Sequence, residues 1–177
     1  QKITELCTNV SERFRDFRRV TYRDGGTLSD EALAEYLREQ NQALCIVNTR
    51  KAAQALYALL PEEGRYHLST LMYPAHRKQV LCTVRERLKQ GLPCRVVSTS
   101  LIEAGVDVDF PMVWRETAGL DSIAQAAGRC NRNGCDQMGR VIVFCPEDSR
   151  RLYPDDWYNN AAVTVQEMSP PFSIHDP

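Results

Sequence analysis

The run Ala43-Leu44-Cys45-Ile46-Val47, followed at once by Asn48-Thr49-Arg50-Lys51, decides the fold. Apolar residues in an unbroken row, with no alternation, describe a strand buried on both faces, as in a parallel sheet. The change to Asn-Thr-Arg-Lys marks the carboxyl end of that strand. Thr49 is placed to cap a helix whose inward face is Ala52, Ala55, Leu56, Leu59 and Leu60, with Pro61 as the stop. A polar turn between a strand and a helix directs backbone N–H groups outward, so Thr49 and Arg50 fit a phosphate of a nucleic-acid backbone. An ordinary capped turn fits the same residues.

Working outward, the same alternation repeats. Upstream, Phe17 to Tyr22 reads as a strand ending in an Asp24-Gly25-Gly26 turn, and Ser29 caps a helix with Leu33, Tyr36 and Leu37 as its apolar stripe. Asp30-Glu31-Ala32-Leu33 spells an acidic box of the kind that binds Mg²⁺. It follows a Gly-rich turn and begins a helix, whereas such a box must follow a buried strand, so it is read as a helix start. Downstream, His67-Leu68-Ser69 is a short strand and Pro74 opens a helix. Val80, Leu81, Val84 and Leu88 are its inward residues, and Gly91 ends it. Arg95 to Ser98 is a further strand, running into Thr99-Ser100-Leu101-Ile102-Glu103-Ala104-Gly105-Val106-Asp107. Its hydroxyls suit phosphate oxygens and Asp107 suits a sugar hydroxyl. Met112-Val113-Trp114 and Gly139 to Cys145 complete the strands. The chain is therefore a doubly wound α/β domain, a mainly parallel sheet flanked by helices, with ligands expected at the carboxyl ends of its strands.

Between the last two strands lies Gln125-Ala126-Ala127-Gly128-Arg129-Cys130-Asn131-Arg132. With Asp121 as N-cap it reads as a helix that brings Gln125, Arg129 and Arg132 to one face. Gly128, Ala126 and Ala127 leave room for a close approach. Two guanidiniums and an amide at fixed spacing suit a polyphosphate whose charge rises as a bond breaks; a solvated, arginine-rich helix end fits the same letters. The three polar constellations are expected to share one edge of the sheet.

Composition sets limits. The 177 residues carry a net charge of −1, so any nucleic-acid contact must come from a local patch. Among the basic residues only Lys2, Lys51, Lys78 and Lys89 are lysines. The seven cysteines include no C-x-x-C pair, and Cys45, Cys94 and Cys145 fall in apolar runs, so they read as reduced core thiols, with no metal site expected. No apolar run approaches a membrane span and no signal segment is visible, which favours the cytoplasm. There is no G-x-x-x-x-G-K-[ST] loop and no acidic box after a strand. His175-Asp176 has only His67 and His76 as possible companions, too few for a di-metal nuclease. No nucleophile or acid–base pair outranks the arginines, which argues against a small-molecule α/β enzyme.

The order "IVNTRKAA", "STSLIEAGVD" and "QAAGRCNRNG" resembles motifs four, five and six of the C-terminal RecA-like lobe of superfamily two helicases. The wording "LSTLMYPAHR", "SLIEAGVD" and "GRCNRNG" is closer still to the CRISPR-associated helicase-nuclease of type I systems. The resemblance covers roughly Ala43 to Pro146. It implies that Arg129 and Arg132 meet the γ-phosphate of ATP, bound with Mg²⁺ to a preceding RecA-like lobe absent from this chain. Gln125 would position the triphosphate or its attacking water, and Gly105 and Asp107 would approach the ribose. Thr49, Arg50, Thr99 and Arg77, the last in the family's His-Arg pair with His76, would contact the backbone of single-stranded DNA. On this view residues 1–16 lead in from the preceding lobe, 17–147 form the lobe itself, and 148–177 run toward a further region. Alone, the chain is expected to be inactive toward ATP. The implied partners are single-stranded DNA, the preceding lobe and the CRISPR surveillance complex. The alternative is a non-catalytic module on which that complex or a phage-encoded inhibitor docks.

Overall fold

The computed structural model describes residues 9, 12, 18–102, 106–134 and 137–148. The strands are β1 (Val20–Leu28), β2 (Gln42–Ile46), β3 (Arg65–Leu68), β4 (Cys94–Ser98), β5 (Met112–Glu116) and β6 (Gly139–Pro146). Between them lie α1 (Asp30–Glu39), α2 (Arg50–Leu59), α3 (Pro74–Lys89) and α4 (Leu120–Ala127), with a 3₁₀ turn at Ser100–Ile102. All strand pairs are parallel, and the order across the sheet is β1-β6-β5-β2-β4-β3.

The opening run behaves as its pattern requires. In and beyond β2, Ala43, Cys45 and Val47 face one layer and Leu44 and Ile46 the other. On the first face α1 lays down Leu33, Ala34 and Leu37, and α2 lays down Ala52, Ala53 and Leu56. The opposite face is covered by Leu81 and Val84 of α3 and by Ala126 and Ala127 of α4. Ser29 and Thr49 cap their helices through side-chain oxygens that accept from Ala32 and Ala52. Pro74 stands in the first turn of α3, and Gly91 follows it at φ 67°.

Several expectations need correction. Asp24-Gly25-Gly26 does not turn the chain; β1 runs through it, with a register shift between Asp24 and Thr27. Gly26 takes φ 67° and its N–H donates to Asp24 Oδ1 at 2.8 Å, so the glycines absorb a bulge in the strand. Ala55 is exposed and Ala53 is buried in its place, because the stripe of α2 runs through Ala53, Leu56 and Leu60. β5 continues past Trp114 through Arg115 and Glu116, both fully buried. α4 starts at Leu120 on Gly119, places Asp121 in its first turn, and stops at Ala127 with Gly128 as C-cap. Gly128 is exposed and a Cβ there would meet only carbonyls of its own preceding turn. Arg129 and Arg132 therefore lie beyond the helix and share no helical face with Gln125.

Candidate functional site

The arginines also differ from expectation in place. α4 begins at the carboxyl end of β5 and runs back, so the residues after it arrive at the opposite edge of the sheet. There Cys130 bridges Phe110, just before β5, and Asn131 Nδ2 donates to the Arg19 carbonyl, just before β1. Gly139, which opens β6, passes so close that a Cβ would sit 2.6 Å from Cys130 Sγ and 2.8 Å from Asn131 Cβ; only glycine fits. The arginines thus stand at the amino ends of β1, β5 and β6, whereas Thr49 and Thr99 follow the carboxyl ends of β2 and β4. The constellations occupy two edges, not one.

What holds the arginines is the extended segment Val106 to Phe110. Val106, Val108 and Phe110 are buried and Asp107 is exposed, the alternation of a strand-like segment lying on the core. Arg129 Nη1 donates to the Val106 carbonyl at 2.6 Å, and Arg132 Nη1 pairs with Asp107 Oδ1 at 2.9 Å. Asp109 receives the backbone N–H groups of Arg132 at 2.8 Å and Asn133 at 3.0 Å. Arg85 of α3 donates from Nε to the Asp107 carbonyl at 2.7 Å, and Arg19 Nη1 donates to the Arg132 carbonyl. Burial, and after it the positive charge of Arg132, pulls the Arg129 guanidinium below its ordinary value, with Asp107 opposing. The Arg132–Asp107 pair is 45% and 79% exposed, so it holds the side chain weakly and leaves it accessible. Gln125 is exposed in the last turn of α4, and Gly105 lies outside the described residues.

At the other edge, Thr49 caps α2 and Arg50 is exposed at the helix start. Thr99 is 6% exposed and its Oγ1 is buried with no hydrogen-bond partner among the described residues, so it offers solvent little. Arg77 is half-buried in the first turn of α3. Beneath this edge lies a network the sequence reading missed. Arg115 Nη1 donates to Asn48 Oδ1 at 2.6 Å, the Asn48 N–H to Glu116 Oε2 at 3.0 Å, and Asn48 Nδ2 to the Thr117 carbonyl at 2.9 Å. It ties the turn carrying Thr49 to the end of β5. Arg19, Arg85 and Asp109 were also missed; the Val-Asp-Val-Asp-Phe alternation at 106–110 was the available signal for Asp109.

An all-parallel sheet of this order, flanked by helices, is similar in fold to the RecA-like C-terminal domains of helicases. The C-terminal domain of the DEAD-box protein Dbp5 superposes with a TM-score of 0.59 at 16% identity, covering 85% of each chain. The profile of the family described as CRISPR-associated nuclease/helicase Cas3, C-terminal, matches residues 39–135, more than half of the chain, and the chain belongs to that family. Among curated relatives, the CRISPR-associated nuclease/helicase Cas3 of Haloferax volcanii is 45% identical over 91 residues, 48% of this chain and 9% of the relative. The T. fusca Cas3-ATP crystal structure aligns with a TM-score of 0.63 at 22% identity, over 84% of this chain and 21% of that one. A chain of a CRISPR RNA-guided surveillance complex, pre-nicking, aligns at 0.56 and 22% identity, over 79% of this chain and 20% of that one. This chain thus spans only a small part of its relatives. No helix among the described residues is long and apolar enough to cross a membrane.

Proposed function

We propose that this chain is the C-terminal motor lobe of an ATP-dependent translocase on single-stranded DNA, acting in CRISPR interference beside a nuclease carried elsewhere in the full protein. The observation that carries the reading is the gathering of Arg85, Arg129 and Arg132 on residues 106–107, where Arg85 and Arg129 reach backbone carbonyls and Arg132 pairs with Asp107. Crowded guanidiniums with a depressed Arg129 fit a polyanion such as a triphosphate.

ATP would supply the phosphoanhydride bond that drives the motor. Arg129 and Arg132 would hold its terminal phosphate and stabilise charge that builds there. Gln125 would orient the triphosphate or the attacking water, and Gly105 and Asp107 would approach the ribose; Asp107 Oδ1 already serves Arg132, leaving Oδ2 for that contact. We assign Mg²⁺ to the preceding lobe. Thr49, Arg50 and Arg77 would follow the DNA backbone at the other edge, with Thr99 acting from beneath. The surveillance complex is the partner this family membership favours. Placing the arginine cluster and the strand-binding turn on opposite edges of one rigid sheet suits a motor, since a push at one edge moves the other.

The test is DNA-stimulated ATPase of the complete enzyme containing this lobe. Arg132→Ala is expected to lower turnover by about 10³-fold or more while changing ATP affinity less. Arg140→Ala, an exposed residue of β6, serves as the control. Near-normal turnover in Arg132→Ala would defeat the reading.

A further inference from the structure

The loop from β3 to α3 carries a feature that the motor reading does not use. Met72 packs against the core, and the residues on either side of it turn outward, leaving Leu71 72% and Tyr73 66% exposed. Tyr73 and His76 then lie ring against ring, with centroids 5.7 Å apart and an interplanar angle of 37°. Large apolar side chains gathered at one exposed site have a use more often than scattered ones do.

The loop lies at the carboxyl edge. β3 neighbours β4, the Thr99 N–H reaches the Leu68 carbonyl at 3.4 Å, and the Met72 N–H donates to the Ser69 carbonyl, which keeps the loop close to the strand end. Charge discriminates between occupants. In a chain of net charge −1 there is no Asp or Glu between Glu63 and Glu86, and His76, Arg77 and Lys78 follow Tyr73 in the first turns of α3. A ring pair beside cations, on a loop and helix start that carry no carboxylate of their own, suits a nucleobase flanked by its phosphates better than an apolar protein surface.

We propose that Tyr73, supported by His76 and flanked by Leu71, is a stacking platform for a base of the single strand, while Arg77 takes a neighbouring phosphate. The proposal rests on reading this edge as the DNA track. A flat, stiff side chain gives stacking without sequence preference, as a translocating motor requires.

The experiment measures binding of this chain, by fluorescence anisotropy at low salt, to labelled oligothymidylate and to an abasic strand of equal length. Wild type is expected to favour the strand with bases by about fivefold or more, the low end of a base–aromatic stack. Tyr73→Ala should abolish that preference without changing the salt slope, and Tyr73→Phe should retain it. Thermal melts should leave both variants folded, since the side chain is exposed. Equal binding of the two strands by wild type, or a preference that survives Tyr73→Ala, overturns the platform and leaves backbone contact standing. If neither strand binds, the track itself fails and the platform with it. If Tyr73→Ala alters self-association while the base preference persists, the patch is a protein surface and the stacking proposal falls.

Discussion

Replacing Asn131 by Ala should cost the lobe about 3 kcal/mol of stability, and the sum can be taken apart. Asn131 sits between the two arginines, 5% exposed, with φ 46°. Its Nδ2 donates to the Arg19 carbonyl at 2.8 Å and the Gln137 carbonyl at 3.1 Å. Losing two such bonds in a buried setting costs about 1 kcal/mol each. Alanine at a left-handed φ adds roughly 1–2 kcal/mol, a strain asparagine tolerates better. Asn131→Gly separates the two contributions: it loses the same bonds, escapes the steric penalty, and gains some freedom in the unfolded chain. It should unfold about 1 kcal/mol later than Asn131→Ala. Equilibrium urea unfolding, with an unchanged m value, reads both numbers. If Asn131→Ala lay within about 0.5 kcal/mol of wild type, or proved as stable as Asn131→Gly, the claim that this asparagine shapes the arginine turn would be wrong.

Four further outcomes are expected. This chain alone should hydrolyse ATP no faster than buffer, and a Mg²⁺-dependent turnover that disappears in Arg132→Ala would contradict the proposed division of the site between two lobes. Its affinity for single strands should be weak, indifferent to sequence and reduced steeply by salt, because the contacts proposed for Arg50 and Arg77 are to phosphate; binding unchanged from low to high salt would remove them from the backbone. Burial, the first cause in each case, pushes the Cys94 thiol up to about 11 and the Cys130 thiol to about 12 from an ordinary 9.0. An acid whose folded value is raised keeps its proton after the unfolded chain has lost it, so stability should fall as pH climbs above about 9. Native-state alkylation should mark exposed Cys82 well before Cys45, Cys94 or Cys130, and urea midpoints that rise from pH 8 to 10 would refute the sign.

Local pattern was enough to determine most of the layout from sequence alone. The unbroken apolar run at 43–47, Thr49 and Ser29 as caps, Pro74 as a helix start and Gly91 as its end are decided by neighbours a few residues away, and the alternation of strand and helix then leaves a parallel sheet as the economical outcome. The candidate site could be named as residue types in order. Its geometry could not, because that depended on partners far along the chain. Whether Asp24-Gly25-Gly26 turns or bulges is settled by β6, which offers β1 a partner on both sides of the glycines. Where α4 stops is settled by Phe110 and Gly139, which draw Cys130 and Asn131 onto the sheet's amino edge. The arginines were expected on one helical face and beside Thr49; tertiary packing put them past the helix and across the sheet. Arg115 and Glu116, charged letters that end a strand in any local reading, are buried because Asn48, some seventy residues earlier in sequence, meets them. A charge can be placed in a core only when its partner arrives with it, and no window of sequence contains both.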